Sequence, residues 1–252
     1  MLATDLALAL DPVRIAHLAG LNPDPWQADL LRSRARQMIL LCSRQAGKST
    51  VSALLAVDDA LHRAPALILL LAPALRQAQE LFRKVKEVLH ALGPAAPPIA
   101  QESALTLELA NGSRIVALPG KESTIRGYSA VNLLVVDEAS RVPDELNDAV
   151  RPMLSVSGGR IILLSTPWGK RGFFFDTWSE GAPDWQRVRI TAHDVPRISP
   201  AWLEAERQRI PDFVFRQEYL TEFGETEDQV FSYTSIMTAI TSNVRPLFGA
   251  AA

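Results

Sequence analysis

The sequence contains very little cysteine and histidine. Its 252 residues include one cysteine, Cys42, and four histidines that are spread along the chain. A single cysteine excludes an intramolecular disulfide and a zinc site built from cysteines, and scattered histidines argue against a histidine-rich metal site. We therefore expect a protein of a reducing compartment without a structural metal of that kind.

Long apolar runs are also missing. The most apolar segments, such as residues 68–72 and 133–136, are far shorter than the roughly 20 residues that a membrane helix needs. The N-terminus has no basic region followed by a cleavable apolar segment. We expect no membrane attachment and a cytosolic protein.

Basic residues are not in excess over acidic ones. The chain has 26 Lys and Arg against 28 Asp and Glu, which gives a net charge of −2 and a pI near 6.1. Proteins that hold nucleic acid on a static patch are usually basic. The balance argues against tight DNA binding by one isolated chain, although a ring of subunits could grip a phosphate backbone with a few basic residues each.

Short apolar runs alternate with longer amphipathic ones. Residues 49–62 and 75–92 have a helical pattern. Four nearly continuous apolar runs have the pattern of strands that are covered on both faces, at residues 38–42, 67–71, 133–136 and 161–164. This alternation predicts an α/β fold with a mainly parallel central sheet flanked by helices. The chain length fits one large domain.

One segment departs from this alternation. Residues 105–109 and 115–118 flank Asn111 and Gly112, which both tolerate the positive φ that a tight turn requires. An inserted antiparallel β-hairpin is predicted there.

The C-terminal part predicts a small helical lid. Ser199 can cap a helix whose first residue is Pro200, and two amphipathic helices follow through residue 223. We expect these helices to fold with the N-terminal helices into a lid beside the sheet. The sheet core would then span about residues 23–195, and the lid and linker about 1–22 and 196–252.

The segment CSRQAGKST, residues 42–50, follows a predicted buried strand and opens a predicted helix. A phosphate-binding loop needs this context, because backbone N–H groups and a helix N-terminus must converge on an anion. Lys48 would reach the β- and γ-phosphates, and the Ser49 hydroxyl would ligate Mg²⁺. Cys42 stands where such loops usually have their first glycine, so the loop must turn differently.

The predicted phosphate-binding residues are Ser43, Arg44, Gln45, Ala46, Gly47, Lys48, Ser49 and Thr50. The alternative interpretation of this segment is an ordinary helix cap with an exposed lysine.

A second apolar strand ends in two acids, Asp137 and Glu138. Ligands bind at the carboxyl ends of parallel strands, so Asp137 could hold Mg²⁺ beside Ser49 through water. Glu138 would orient and deprotonate an attacking water. The alternative is that two solvated acids follow this strand by chance and have no function. The strand at 161–164 ends in Ser165-Thr166-Pro167, where a hydroxyl could sense the γ-phosphate.

Together these segments resemble the terminase large subunits of tailed bacteriophages and related gene-transfer particles. SRQAGKST is similar to that family's deviant phosphate loop, in which an arginine is present and the first glycine is lost. LAPALRQAQELFRK, NGSRIVALP, TIRGYSA, VVDEAS and LSTPWGKRGFF follow in family order, and FRQEYLTEF resembles the end of the motor domain. The resemblance covers about residues 23–231.

The resemblance implies a P-loop NTPase of the additional-strand, catalytic-glutamate type that uses ATP and Mg²⁺ to move double-stranded DNA into a procapsid. It implies the following roles: adenine contact for Gln27, phosphate and metal binding for Lys48 and Ser49, metal binding for Asp137, catalysis for Glu138 and coupling for Thr166.

Two arginines are further catalytic candidates. Arg44 could stabilise transition-state charge in cis, and Arg126, in TIRGYSA, could do so in trans on a neighbouring subunit. A solvated or sheet-edge arginine is the alternative for each. Trp26 could either stack on adenine or pack in the core.

The resemblance also implies partners: double-stranded DNA, the portal protein and the terminase small subunit. It implies a homo-oligomeric ring on the procapsid, a monomer in isolation, and a location in the cytoplasm of the bacterial host. After residue 231 the sequence has no Asp or Glu. A two-metal nuclease needs acidic ligands, so we expect the companion nuclease domain to be absent and this chain not to cut DNA.

Two other functions remain open. A helicase-type ATPase has similar motifs but normally needs a second motor lobe, for which 252 residues leave no room. A non-catalytic remnant is the other, although Lys48, Ser49, Asp137 and Glu138 are all intact.

Overall fold

The structure is a computed structural model that describes residues 2–120, 125, 127–180, 183–224 and 238–239. In these residues one sheet has eight strands, in the order β3-β4-β5-β2-β6-β7-β1-β8. The strands are β1 (Gln37–Cys42), β2 (Leu67–Ala72), β3 (Ile99–Glu102), β4 (Thr106–Leu109), β5 (Arg114–Pro119), β6 (Leu133–Asp137), β7 (Arg160–Ser165) and β8 (Trp185–Ile190).

The described helices lie on both faces of this sheet. They are α1 (Leu2–Leu10), α2 (Val13–Leu18), α3 (Pro25–Arg32), α4 (Lys48–His62), α5 (Leu75–Leu92), α6 (Asp144–Val150), α7 (Gly172–Ser179), α8 (Pro200–Arg209) and α9 (Asp212–Glu218). None of these helices is long and apolar enough to cross a membrane.

The sheet is mainly parallel, as the sequence predicts. The neighbouring strands in the part of the sheet ordered β5-β2-β6-β7-β1-β8 are all parallel. Only the β3–β4 and β4–β5 pairs are antiparallel. The α/β prediction is confirmed. The four apolar runs correspond to β1, β2, β6 and β7, which are buried almost throughout because helices cover both faces.

The predicted hairpin is also confirmed, as β4 and β5. Gly112 has φ +82° at the turn. Asn111 accepts a hydrogen bond from the Ser113 N–H at 3.0 Å and donates to the Ala60 carbonyl of α4 at 2.9 Å. The turn is therefore attached to the helix that follows β1.

The sequence did not predict the two outermost strands. All four residues of β3 are exposed, and in β8 only the terminal Trp185 and Ile190 are buried. An edge strand has one side open to solvent, so it lacks the continuous apolar run that identifies a central strand.

Residues on β1 alternate between two apolar clusters. Met38, Leu40 and Cys42 belong to a cluster that includes α4 and α5, whereas Ile39 and Leu41 belong to one that includes α6 and α7. Successive side chains of a strand point to opposite faces, so the two clusters lie on the two sides of the sheet.

The predicted lid is wrong in its composition. Buried residues of α1 and α2, such as Leu8 and Ile15, belong to the main cluster with α4 and α5. Helices α8 and α9 instead form a small cluster of their own around Leu203, Phe215 and Tyr219. The N-terminal helices carry apolar residues, and the large apolar surface of α4 and α5 gives these residues more to bury against than two short helices do.

Candidate functional site

The predicted motifs lie at the carboxyl ends of three adjacent strands. In the sheet order β6-β7-β1, Asp137 at the end of β6 is level with Leu164, and Ser165 at the end of β7 is level with Leu41. The loop at 43–47 leaves β1 at the same edge. Parallel strands thus place residues from three distant parts of the sequence together.

The loop turns through two residues with left-handed backbone conformation. Gln45 has φ +59° and Gly47 has φ +93°. The positive φ favours glycine at position 47, and a Cβ there would also lie 2.6 Å from Gln27 Nε2, so the Gln27 side chain would have to shift. Cys42 does not form part of this turn: it is the last residue of β1, and complete burial raises the pKa of its thiol to about 12.

Two contacts join the loop to the acidic pair. Lys48 Nζ lies 3.4 Å from Glu138 Oε1, and the Ser49 hydroxyl donates to Asp137 Oδ2 at 3.2 Å. Burial and, second, the neighbouring Glu138 charge raise the pKa of Asp137 to about 6, against the opposing effects of Lys48 and Ser49.

The oxygen atoms of Ser49 and Asp137 fit a magnesium ion. Mg²⁺ prefers hard oxygen ligands and usually keeps several water ligands. One hydroxyl and one carboxylate are therefore enough protein ligands for it. A buried carboxylate whose charge is destabilised would also gain from a bound cation.

Ser165 contacts the carboxylate of Glu138, and Ser140 contacts Ser165. The Ser165 hydroxyl donates to Glu138 Oε2 at 3.4 Å and lies 2.7 Å from the Ser140 hydroxyl. Glu138 itself has φ +50°, an uncommon conformation for a residue other than glycine. Sequence reasoning missed both serines, although the Ser-Thr-Pro segment was a signal for Ser165.

Thr166 reaches the site through its backbone. It is buried, and its carbonyl accepts a hydrogen bond from the Ser140 hydroxyl at 2.9 Å. A chain of contacts therefore runs from Thr166 through Ser140 and Ser165 to Glu138. The coupling role of Thr166 stays a prediction.

Gln27 contacts the phosphate loop. It is buried, its Nε2 lies 3.4 Å from the carbonyls of both Ala46 and Gly47, and its Oε1 accepts from the Asp24 N–H at 2.8 Å. The side chain holds the loop, and its amide has protein partners at both ends.

Arg197 is a second residue on the loop, and sequence reasoning missed it. Its guanidinium donates to the Ala46 carbonyl at 3.2 Å and pairs with the buried carboxylate of Asp24. No local sequence pattern connects Arg197 with a loop about 150 residues earlier. Trp26, beside Gln27, is partly buried and packs against the main core.

The remaining loop residues anchor the loop to its surroundings. The N–H of the buried Ser43 donates to the Ile190 carbonyl of β8 at 2.8 Å, and the Thr50 N–H donates to the Gly47 carbonyl at 3.1 Å in the first turn of α4.

Arg44 lies outside the acidic cluster. Its Nε is 3.6 Å from Glu218 Oε2 of α9, and its side chain is 65% exposed. Its catalytic role in cis stays a prediction, as does the role in trans of Arg126, which lies outside the described residues.

Comparison with known proteins shows the family of this chain. Residues 39–237 match a family model described as "Terminase large subunit, T4likevirus-type, N-terminal". This chain belongs to the terminase large subunit family. Its sequence is 30% identical to the terminase large subunit of Thermus virus P23-45 over 249 residues, which cover 85% of this chain and 51% of that protein. The chain thus spans about half the length of this curated relative.

Solved terminase structures have the same fold. The large terminase ATPase domain of Thermus phage P74-26 superimposes with a TM-score of 0.73 at 26% identity, covering 82% of this chain and 96% of that one. The large terminase of a thermophilic bacteriophage, solved in complex with ATP-gamma-S, gives a TM-score of 0.62 at 14% identity, covering 80% and 53%. The family resemblance seen in the sequence is therefore confirmed.

Proposed function

We propose that this chain is the ATP-hydrolysing motor domain of a viral DNA-packaging terminase large subunit, which couples ATP hydrolysis to translocation of double-stranded DNA into a procapsid. The observation that carries the proposal is the meeting of Lys48, Ser49, Asp137 and Glu138 at the ends of β1 and β6. The similarity to the P74-26 ATPase domain supports it.

In the proposed reaction the phosphate loop holds the triphosphate. Backbone N–H groups at the start of α4 and the Lys48 ammonium would bind the phosphate oxygens. Bound Mg²⁺ would neutralise charge on the β- and γ-phosphates, and Ser49 and Asp137 are the residues that would hold it.

Glu138 is the proposed general base. In the structure its carboxylate faces Lys48 on one oxygen and Ser165 on the other. A triphosphate would compete for the Lys48 ammonium and leave one carboxylate oxygen able to accept a proton from water. Ser165 and Ser140 would keep the carboxylate in position, and Thr166, bonded to Ser140, would transmit loss of the γ-phosphate to the strand end.

The family suggests the partners of this motor. We propose double-stranded DNA, the portal protein and the terminase small subunit as partners, and a homo-oligomeric ring on the procapsid in the cytoplasm of the bacterial host. Within a ring, Arg126 would act as an arginine finger in the ATP site of a neighbouring subunit. An arginine finger raises the rate of hydrolysis by about 10³ to 10⁵. We do not expect this chain to cut DNA.

The test is ATP turnover by the purified chain, alone and with duplex DNA and procapsids. We expect slow turnover that rises in the assembled motor and is lost with Lys48→Ala, which should also weaken ATP binding. Lys86→Ala is the matched control, because Lys86 forms an exposed ion pair with Glu102 on another part of the surface.

Two results would reject the proposal. ATP-dependent strand separation without translocation would favour a helicase-type enzyme. Absence of ATP binding by the wild-type chain would indicate a non-catalytic remnant.

A further inference from the structure

We infer that three arginines near the amino ends of β1 and β7 bind the phosphate backbone of duplex DNA. They are Arg34, Arg36 and Arg151, and we call them the arginine cluster. Lys48 and Glu138 lie at the opposite side of the sheet, after the carboxyl ends of β1 and β6. The inference rests on the proposed function, because it takes duplex DNA as the partner, and it assigns the surface on which that partner would lie.

The first argument is a cavity that two of these arginines share. Arg36 and Arg151 line a cavity of about 210 Å³, together with Ser155, Gly158 and Ile161. Both arginines are exposed, and among the residues that the structure describes neither has an acidic side chain within ion-pair distance. A guanidinium has five donors and no acceptor, and phosphate oxygens match its geometry. The cavity therefore offers two uncommitted guanidinium groups to an anion.

The second argument is that the chain segment before β1 is fixed. The guanidinium of the buried Arg160 donates to the carbonyls of Ser33 and Ala35, at 3.3 Å in both cases. These two carbonyls flank Arg34, and Arg36 is the next residue along the chain. The backbone that carries both arginines is thus held before any ligand binds, which lowers the entropy cost of binding.

Gly158 leaves room for one of the guanidinium groups. The two terminal nitrogens and the central carbon of the Arg36 guanidinium lie 3.6 to 3.9 Å from the position that a Cβ would take at Gly158. Gly158 also has φ +59°, a conformation that favours glycine. The wall of the cavity is therefore built so that Arg36 can lie against it.

The third argument is the charge around the cluster. Asp59 is enclosed with Arg160, so its charge is already paired. Burial, the largest cause, and the nearby charge of Arg34 both lower the pKa of Arg160. An exposed acid, Asp184, lies beside the cavity and accepts a hydrogen bond from Gln37. The three exposed arginines outnumber this acid, although the whole chain has a net charge of −2.

Duplex DNA is the partner that this surface fits. Its phosphates are regularly spaced, so three separate arginines can each meet one, whereas a small free anion would occupy only the cavity. Phosphate contacts carry no sequence information, which suits a protein that must move along DNA of any sequence. Because the strands β1 and β7 separate the arginine cluster from the ATP site, ATP and DNA can be bound at the same time.

The test is the binding of a short fluorescent duplex to the triple variant Arg34→Gln, Arg36→Gln and Arg151→Gln, measured by anisotropy over a range of salt concentrations. We expect affinity to fall about 10- to 500-fold at about 0.1 M salt, the result of losing one to three phosphate contacts. The salt dependence should become shallower by about 1 to 3 in log–log slope. Lysine at the same three positions keeps the charge and should retain most of the affinity.

The matched control is the triple variant Arg14→Gln, Arg76→Gln and Arg207→Gln, which removes the same charge from exposed positions on α2, α5 and α8. Its duplex affinity should stay close to that of the wild-type chain. ATP turnover without DNA and the urea unfolding midpoint should match the wild type in both glutamine variants, which shows that folding and the ATP site are intact.

Equal losses in the two triple variants, or no binding of duplex by the wild-type chain at low salt, would overturn the inference. So would loss of inorganic phosphate or polyglutamate binding with duplex binding unchanged, because the cluster would then serve a free anion or an acidic protein. In these cases Lys48-dependent ATP turnover by the wild-type chain would keep the proposed ATPase. If the wild-type chain neither bound duplex nor turned over ATP, the proposed function would fail and the arginine cluster with it.

Discussion

Helix α4 has a cluster of charged residues at each end, and the two clusters differ in what surrounds them. At its first residue, Lys48 faces Glu138, whose side chain is 24% exposed. Near its last turn, Asp59 faces Arg160, and these two side chains are 0% and 3% exposed. One cluster is accessible to a ligand, and the other is enclosed by protein.

The hydrogen bonds follow the same division. Arg160 donates to Asp59 and to the carbonyls of Ser33 and Ala35, at 3.3–3.4 Å, so its guanidinium links α4, β7 and the segment before β1. Burial raises the pKa of Asp59, and Arg160 opposes that shift. The charges at this end are enclosed and paired with one another, whereas those near Glu138 are partly open to solvent, as the proposed reaction requires.

The largest expected effect is on turnover. Glu138→Gln should reduce ATP turnover by about 10² to 10⁴, the usual contribution of a general base, because glutamine cannot accept the proton from water. ATP binding and the free energy of unfolding should stay near the wild-type values. Loss of ATP binding in this variant would show that Glu138 instead holds the loop through Lys48.

The next effect is on stability. Arg160→Met should lower the free energy of unfolding by about 3–5 kcal/mol, because Asp59 would keep a buried charge without its main partner. Chemical denaturation measures this change. Arg63→Met is the control: Arg63 also lies 3.4 Å from Asp59 but is 37% exposed, and we expect about 0–1 kcal/mol.

Replacing both members of the enclosed pair tests whether the unpaired charge causes the loss of stability. Asp59→Leu combined with Arg160→Met should recover much of the lost stability, since no unpaired charge would remain. A double variant no more stable than Arg160→Met alone would show that the carbonyl contacts of Arg160 carry its effect.

A smaller effect is expected at Gly47, the glycine that precedes the first residue of α4. Gly47→Ala should cost about 1–3 kcal/mol and weaken ATP binding, since φ is +93° and the new Cβ would meet Gln27 Nε2. Gly20 also has positive φ, but a Cβ there would have nothing within 4 Å. Gly20→Ala therefore measures the backbone cost alone, and equal losses in the two variants would show that the contact with Gln27 is unimportant.

The smallest predicted effect concerns the positioning of Glu138. Ser165→Ala should lower kcat about 2- to 12-fold with little change in KM, the expected result of losing one long hydrogen bond of 3.4 Å to the Glu138 carboxylate. Ser155→Ala, which removes an exposed hydroxyl bonded to the Pro152 carbonyl, is the control. A change in KM alone would assign Ser165 to substrate binding.

The sequence predicted the parts of the fold that depend on local patterns. The central strands β1, β2, β6 and β7 are continuous apolar runs, and Asn111-Gly112 specifies a tight turn by itself. Strand β8 has only its two end residues buried, so its pattern does not distinguish it from a loop.

The site could be predicted only where one motif carries the chemistry. Lys48, Ser49, Asp137 and Glu138 lie within recognisable motifs, and the sheet order brings them together. Arg197 and the engagement of Gln27 depend on contacts between residues 19 to 173 positions apart, which no local pattern encodes. The lid prediction failed for the same reason, because composition does not tell which apolar surface a helix covers.

We propose that the two ends of α4 have separate roles, and the most direct test is the ATP turnover rate per folded molecule. The rate should be measured for wild type, Glu138→Gln and Arg160→Met at a temperature where each variant's folded fraction is known. We predict a loss of at least about 100-fold for Glu138→Gln and a rate within about twofold of wild type for Arg160→Met. Wild-type turnover by Glu138→Gln, or an equal loss in both variants, would contradict the account.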